Sequence, residues 1–314
     1  MNAENFAEWL RRKGHHVIRT QSSYWYDAGP RVYQAFPYDW LIEPARQELT
    51  RLLMRQGGLA LRFSTPTGAE AGKISYHVVL SNPYNLELLR SQARNAVRRG
   101  LAACQVEQIS FERLAGEGWN LQRDTLERQG RLKSMNESAW RQIALAGQGL
   151  PGIEAWAAIV EGELAAALLT ARIGDTCYVP YALSHRKFLD QYVNNALFYS
   201  VSTNMLARDG LQGIFFTVQS LDAPKSVDEF KFRMGLKARA VRQRVVFNPL
   251  IEPFIKNPVH KLVESLLRRN PEAGFLAKAE GMIRFYLQGK QPLEQQEWPD
   301  CLQTNSSAYS PAPR

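Results

Sequence analysis

From Cys177 to Asn248 the apolar positions switch between period two and period 3.6, which predicts alternating strands and helices. Cys177–Ser184 (CYVPYALS) is rich in strand-favouring residues, and Gln191–Arg208 is a long helical run. Gly213–Gln219 (GIFFTVQ) reads as a short apolar strand, set between Gly210 and the Asp222–Pro224 break. Ser226-Val-Asp-Glu229 then has the form of a capping box: the serine accepts from the Glu229 amide while the Glu229 side chain reaches back. It opens a short helix, Val227–Met234, which Gly235 closes where a left-handed residue is needed. Ala238–Phe247 (ARAVRQRVVF) alternates polar and apolar residues like a strand, and Pro249 ends it. Strand, helix, strand, helix and one or two closing strands make an α/β (α+β) mixed sheet with helices on its faces.

Upstream, Asn2–Lys13 is a short amphipathic helix with Phe6, Trp9 and Leu10 on one side. Aromatics crowd the stretch from Trp25 to Trp40, and such a stretch is more often a core edge or a pocket wall than a base-stacking platform. Pro44–Gln56 reads as a helix. Leu59–Ser64 and Ser75–Leu80 read as an antiparallel hairpin across the Gly68–Gly72 turn. In Asn85–Gly100, residues Leu86, Leu89, Ala93, Ala96 and Val97 recur at helical spacing, while Arg90, Arg94 and Arg98 lie four apart on another face. Forked guanidinium donors in a row suit phosphate oxygens, and a solvated face is the alternative. Leu114–Arg131 and Glu137–Ala146 are two more helices. The Gly147–Gly152 break places an N-terminal lobe over 1–150 and a C-terminal lobe over 151–250. Helices at Asn257–Arg269 and Ala273–Leu287 make an extension over 251–298, and the polar residues 299–314 read as a disordered tail.

Charge and composition narrow the chemistry. Nothing approaches the roughly 18 apolar residues of a membrane span, and the N-terminus lacks the apolar region of a signal peptide, so a cytoplasmic protein is expected. Cys104, Cys177 and Cys301 form no CxxC pair, and the histidines show no HExxH spacing, so no metal is expected. The net charge of +9 points to an anionic partner without choosing among nucleotide, phosphorylated carrier, RNA and membrane.

Phe230-Lys231-x-x-Met234-Gly235, after a strand and the turn Ser220–Asp222, resembles the closing segment of Fem-type acyltransferases, a branch of the GNAT superfamily. Trp156 to Ala166, a strand, a Gly162 turn and an Ala/Leu-rich strand, is similar to the same pattern, as is the Arg-rich helix leading into Cys104–Ile109. The resemblance implies a GNAT-like mixed sheet, two GNAT-like lobes and N-acyl transfer. The donor would be acyl-CoA or another thioester, a carrier-protein thioester or an aminoacyl-tRNA; the acceptor would be an amine on a small or carrier-linked molecule. It places Lys231 beside the transferred acyl group, with Phe230 next to it. Donor phosphates would fall on Ser184–Asn195, where Arg186 and Lys187 supply charge and Asn194 and Asn195 replace part of the family's glycine pattern. Tyr181 and His185 stand as candidate proton donor and base, with Asp175 and Asp222 behind them; Arg90, Arg94 and Arg98 stand as acceptor or anion ligands. Two other readings use the same residues: a GNAT-fold binding protein without catalysis, and an RNA-binding protein.

Overall fold

The computed structural model describes residues 2–130, 134–221, 226–271 and 273–303, with backbone alone for 226–228. Asp222, the Ser226 side chain and the tail from 304 onward fall outside the described residues. In chain order the elements are α1 (Ala3–Arg12), β1 (Val17–Arg19), β2 (Tyr24–Gly29), β3 (Val32–Phe36), α2 (Arg46–Gln56), β4 (Ala60–Thr65) and β5 (Lys73–Ser81). Then come α3 (Ser91–Ala103), β6 (Gln105–Ile109), α4 (Phe111–Arg128), α5 (Glu137–Leu145), β7 (Ile153–Val160), β8 (Glu163–Ile173) and β9 (Thr176–Ser184). The chain closes with α6 (Val193–Leu206), β10 (Gly213–Val218), α7 (Ser226–Arg233), β11 (Lys237–Phe247), α8 (Asn257–Arg269) and α9 (Gly274–Gly289).

Two compact units share these elements. The first comprises Met1–Gly14, Val79–Phe216 and Lys225–Lys237; the second comprises His15–Val78, Thr217–Pro224 and Ala238–Arg314. The division falls elsewhere than at Gly147–Gly152, which is the α5–β7 connection inside the first unit.

In the first unit β6, β7, β8 and β9 pair antiparallel in sequence, and β10 joins β9 in parallel. Caps start several helices: Asn2 accepts from the Asn5 amide at 3.0 Å, Ser110 from Arg113 and Asn136 from Ala139, each satisfying an orphan donor. The β7–β8 hairpin turns on Glu161 (φ 51°) and Gly162 (φ 85°), the paired left-handed residues of a type I′ turn. Along β8 every residue from Leu164 to Ala171 is buried, so its alanine-rich run has lost strand alternation because both faces are covered.

In the β9–β10 ladder the strands are adjacent and parallel, and they part at one end. Thr176–Tyr178 pair with Gly213–Phe215, and the pairing stops there. Just past that point β9 bulges, with Val179 and Pro180 facing Thr170 while Tyr178 pairs with Ala171 and Tyr181 with Leu169. Proline suits the bulge, having no amide to give to a ladder.

The second unit holds β1–β2–β3–β4–β11 in order, antiparallel except for parallel β3–β4. The expected β4–β5 hairpin is absent because β11 lies between those strands. The 66–72 connection needs only to step over one strand, about 10 Å, which seven residues cover easily. Trp25, Leu49, Leu53, Leu61 and Phe63 make one core cluster under α2; Val245, Phe247, Ile283 and Phe285 make another under α9.

Candidate functional site

Every candidate side chain that the sequence singles out, Asp222 apart, belongs to the first unit, and the structure sorts them into three places. Lys231 lies on α7, whose end is a Schellman motif. The Leu236 amide donates to the Lys231 carbonyl (3.2 Å) and the Gly235 amide to Phe232 (3.1 Å), with Gly235 left-handed at φ 87°. This closure explains the glycine of the FKxxMG segment. It also fixes the last turn, so Lys231 is held in place by its own backbone. Lys231 is 8% exposed, while Phe230 is part-exposed. Its ammonium lies 5.3 Å from the centroid of Phe216, and Phe198 contacts both Phe216 and Phe230. Nearby, Asn195 donates to the Met234 sulfur at 3.2 Å, and Asn194 donates to the Ser184 hydroxyl at 3.2 Å. Lys231, Phe230, Asn194 and Asn195 therefore gather around the start of α6.

Arg90, Arg94 and Arg98 form the second place. The helix that carries them starts one residue later than their spacing requires: Arg90 is the N-cap of α3 with ψ 151°, after a separate turn at Leu86–Leu88. None of the three guanidinium groups has a hydrogen bond or ion pair with a described residue. The row stands close to the Lys231 helix, because a β-carbon on Gly235 would lie 3.2 Å from Leu89 and the Tyr84 hydroxyl donates to the Met234 carbonyl at 3.0 Å. At its far end α3 presses on α6: a β-carbon on Gly100 would come within 2.5 Å of the Tyr192 carbonyl. Arg99 stacks on the Tyr192 ring at 4.6 Å.

Tyr181, His185, Arg186 and Lys187 make the third place, on and after β9. Phe215 meets Tyr178, Tyr178 meets Phe6, and Trp9 meets Tyr181; these rings share the α1 side of the strands. Phe216, the next residue after Phe215, meets Lys231, and successive strand residues point to opposite faces. Tyr181 and Lys231 accordingly lie on opposite faces of the sheet, and the structure does not bring them together. His185 Nδ1 accepts from the Lys187 amide at 3.2 Å, which leaves Nε2 carrying the proton in the neutral ring. Arg186 is paired with Asp124 and Glu127, and Lys187 with Glu163 at 2.7 Å, so both loop cations already have carboxylate partners.

Several residues around these places escape a sequence reading. Asp124 accepts from Arg128, from the Arg186 amide and from the Arg186 side chain. Burial would raise its pKa, but the two arginines outweigh burial and hold it below the usual carboxylate range. Arg128 in turn donates to the Ser184 carbonyl (2.8 Å) and hydroxyl (3.0 Å), which locks the end of β9. Lys13 holds its ammonium 4.1 Å from the Trp9 centroid and 5.0 Å from that of Tyr181. Desolvation there pulls its pKa down to about 7. The signal for Lys13 was present as the fourth member of the Phe6, Trp9, Leu10 stripe. For Asp124 only the Arg128 pairing, one turn away, is local; its other partner, Arg186, lies 62 residues on.

In the second unit His77 is fully buried, contacts the Ser64 hydroxyl at 2.7 Å and has Arg239 on its other nitrogen at 3.4 Å. Burial and the nearby arginines lower its pKa to about 3. A nucleophilic dyad needs a carboxylate behind the histidine; an arginine stands there, so the pair is structural. Among the described residues one potential metal-ligand group occurs, His260, Glu264 and Glu280, within 4.8 Å of one another. Arg284 already donates to Glu280 at 2.9 Å, and the group reads as an ionic link between α8 and α9.

No protein-family model matches the chain, and no curated protein matches it in sequence. Solved structures do match. A crystal structure of FemX superposes with a TM-score of 0.54 at 13% identity, covering 79% of this chain and 92% of that one. The C-terminal domain of a protein assigned as a lysylphosphatidylglycerol synthetase, from Agrobacterium fabrum, gives 0.50 at 12% identity, covering 77% and 87%. The likeness is one of fold: this chain has a Fem-type, GNAT-like mixed α/β fold.

Proposed function

We propose that this fold serves an N-acyltransferase that moves an acyl or aminoacyl group from an activated ester or thioester to an amine. The observation that carries the reading is Lys231, a buried cation held by a Schellman closure and set against Phe216, which joins Phe198 and Phe230 in one aromatic cluster. In the reaction the amine nitrogen forms a bond to the acyl carbon and the carbon–oxygen or carbon–sulfur bond to the carrier breaks. The amine proton leaves with the carrier's oxygen or sulfur. Charge collects on the carbonyl oxygen in between, and a fixed ammonium in a poorly solvated place stabilises it far more than water would. Lys231 takes that role, and Asn195, whose side-chain nitrogen donates to the sulfur of Met234, three residues beyond Lys231 in the same segment, is a polar group available to the site.

The donor follows from charge. Arg186 and Lys187 spend their charge on Asp124, Glu127 and Glu163, and the glycines of a coenzyme A cradle are absent, which argues against a pyrophosphate at the start of α6. The unpaired row Arg90, Arg94 and Arg98 suits a longer polyanion, and the donor preferred here is an aminoacyl ester on tRNA, with a thioester as the competing class. A cytoplasmic site of action fits such a donor. Both FemX and the synthetase domain share the fold, and the likeness of the FKxxMG segment to Fem-type acyltransferases supports transfer chemistry of this kind. The test is mass spectrometry of molecules that copurify with the intact protein, followed by single-turnover assays with aminoacyl-tRNA and with acyl-CoA. Transfer from the tRNA ester that is lost in Lys231→Met supports the reading; transfer from neither donor overturns it.

A further inference from the structure

Among the described residues the four most exposed large apolar side chains fall in one segment. They are Phe275 (71%), Phe254 (70%), Leu250 (68%) and Leu262 (60%), and Leu266 in the same segment is 38% exposed. All five fall between residues 250 and 275, in and around α8. Residues in this helix are at best part-buried. Val259 and Val263 touch the core beneath, while Leu262 and Leu266, one turn apart, stay in solvent. At 3.6 residues per turn the charged residues next to those leucines are Lys261 and Arg269, whereas His260 and Glu264 lie on the other flank, toward Glu280.

The charges divide the same way. Lys256, Lys261, Arg268, Arg269 and Lys278 are exposed and have no carboxylate partner among the described residues. The nearby acids are occupied: Glu252 accepts from the Tyr286 hydroxyl and lies near Lys290, and Glu280 is bonded to His260 and Arg284. Exposed leucines and phenylalanines bordered by unpaired cations have the make-up of an interfacial element, whose apolar side chains enter the acyl boundary while the cations meet lipid headgroups. A second copy of the chain fits poorly, since a symmetric contact would set the same cationic rim against itself. We propose that α8 and its flanks dock this protein on an anionic lipid surface, independently of the acyl-transfer reading.

Sedimentation of the full chain with vesicles tests this. Vesicles containing phosphatidylglycerol should carry the protein down, pure phosphatidylcholine vesicles should not, and raised salt should release it. Lys261→Gln with Arg269→Gln should weaken binding about 25-fold, at about fivefold per cation. Leu262→Glu with Leu266→Glu should abolish binding, while Leu88→Glu, an exposed leucine elsewhere, should leave it unchanged. Should the double glutamate variant fail to fold, Phe275→Ser provides the same test at a residue 71% exposed. Absence of vesicle binding overturns the proposal, as does binding indifferent to the leucine, phenylalanine and Lys261/Arg269 variants. A dimer in light scattering that Leu262→Glu dissolves would also overturn it, assigning the face to a second copy.

Discussion

At the scale of single residues, Lys231, which is buried, and Lys13, which is half-buried, are two lysines with opposite consequences. Lys231→Met keeps most of the stem and removes the charge, so transfer should slow by about 10²–10³, the scale of one lost oxyanion donor. The melting temperature should change little, and equal loss of both would make the residue a support for α7. Lys231→Arg should also be slow, because a planar fork cannot occupy the place of a compact ammonium. Gly235→Ala forces a side chain into the left-handed region and against Leu89, and should cost about 1–2 kcal/mol in denaturant unfolding. Lys13 gives a pH signature. Its folded pKa, about 7, lies below the ordinary 10.5, so between those values the unfolded chain binds more protons and stability rises with pH. The rise in melting temperature from pH 7 to pH 9 should be smaller in Lys13→Met than in the parent.

Among elements, what could be read from sequence was what depends on near neighbours. The α6, α7 and β11 segments, the Gly235 closure and the β7–β8 turn each follow from residues within one or two turns of each other, and the structure has them where the spacing put them. The β4–β5 hairpin failed because a strand from far along the chain, β11, competes for the same edges. The site divided for the same reason. Which face Tyr181 uses depends on a bulge opposite Thr170, and which cations are free depends on Asp124, Glu127 and Glu163, remote acids that no local pattern announces. Asp124 carries an element-scale prediction. Its depressed pKa means that its contribution is present above the ordinary carboxylate value and is lost as pH falls through the folded value. Asp124→Asn should cost about 2–3 kcal/mol at neutral pH, by leaving Arg128 and Arg186 short of an acceptor. It should also flatten the acid limb of the stability curve below about pH 4.

For the whole molecule the question is where a net charge of +9 is spent. Several of the 39 lysines and arginines are paired with acids, and the Arg90–Arg94–Arg98 row is a place where part of the excess stands. If that row grips a polyanion, replacing all three by glutamine should lower the slope of log affinity against log salt by about 2–3, at 0.7–0.9 per contact. Arg94→Glu alone should weaken binding, and an unchanged slope in the triple variant would return the row to solvent. The bulge in β9 has a reach of its own at this scale. Tyr178 and Tyr181 are three residues apart, an odd interval that regular pleating would send to opposite faces; the extra residue at Val179-Pro180 puts both on the α1 side. Without that extra residue the tyrosines would stand two apart, and regular pleating would keep both on the α1 side; flattening the bulge with every residue kept would instead turn the Tyr181 ring toward the Lys231 face. One unpaired residue in β9 thus decides which side of the molecule owns a phenol.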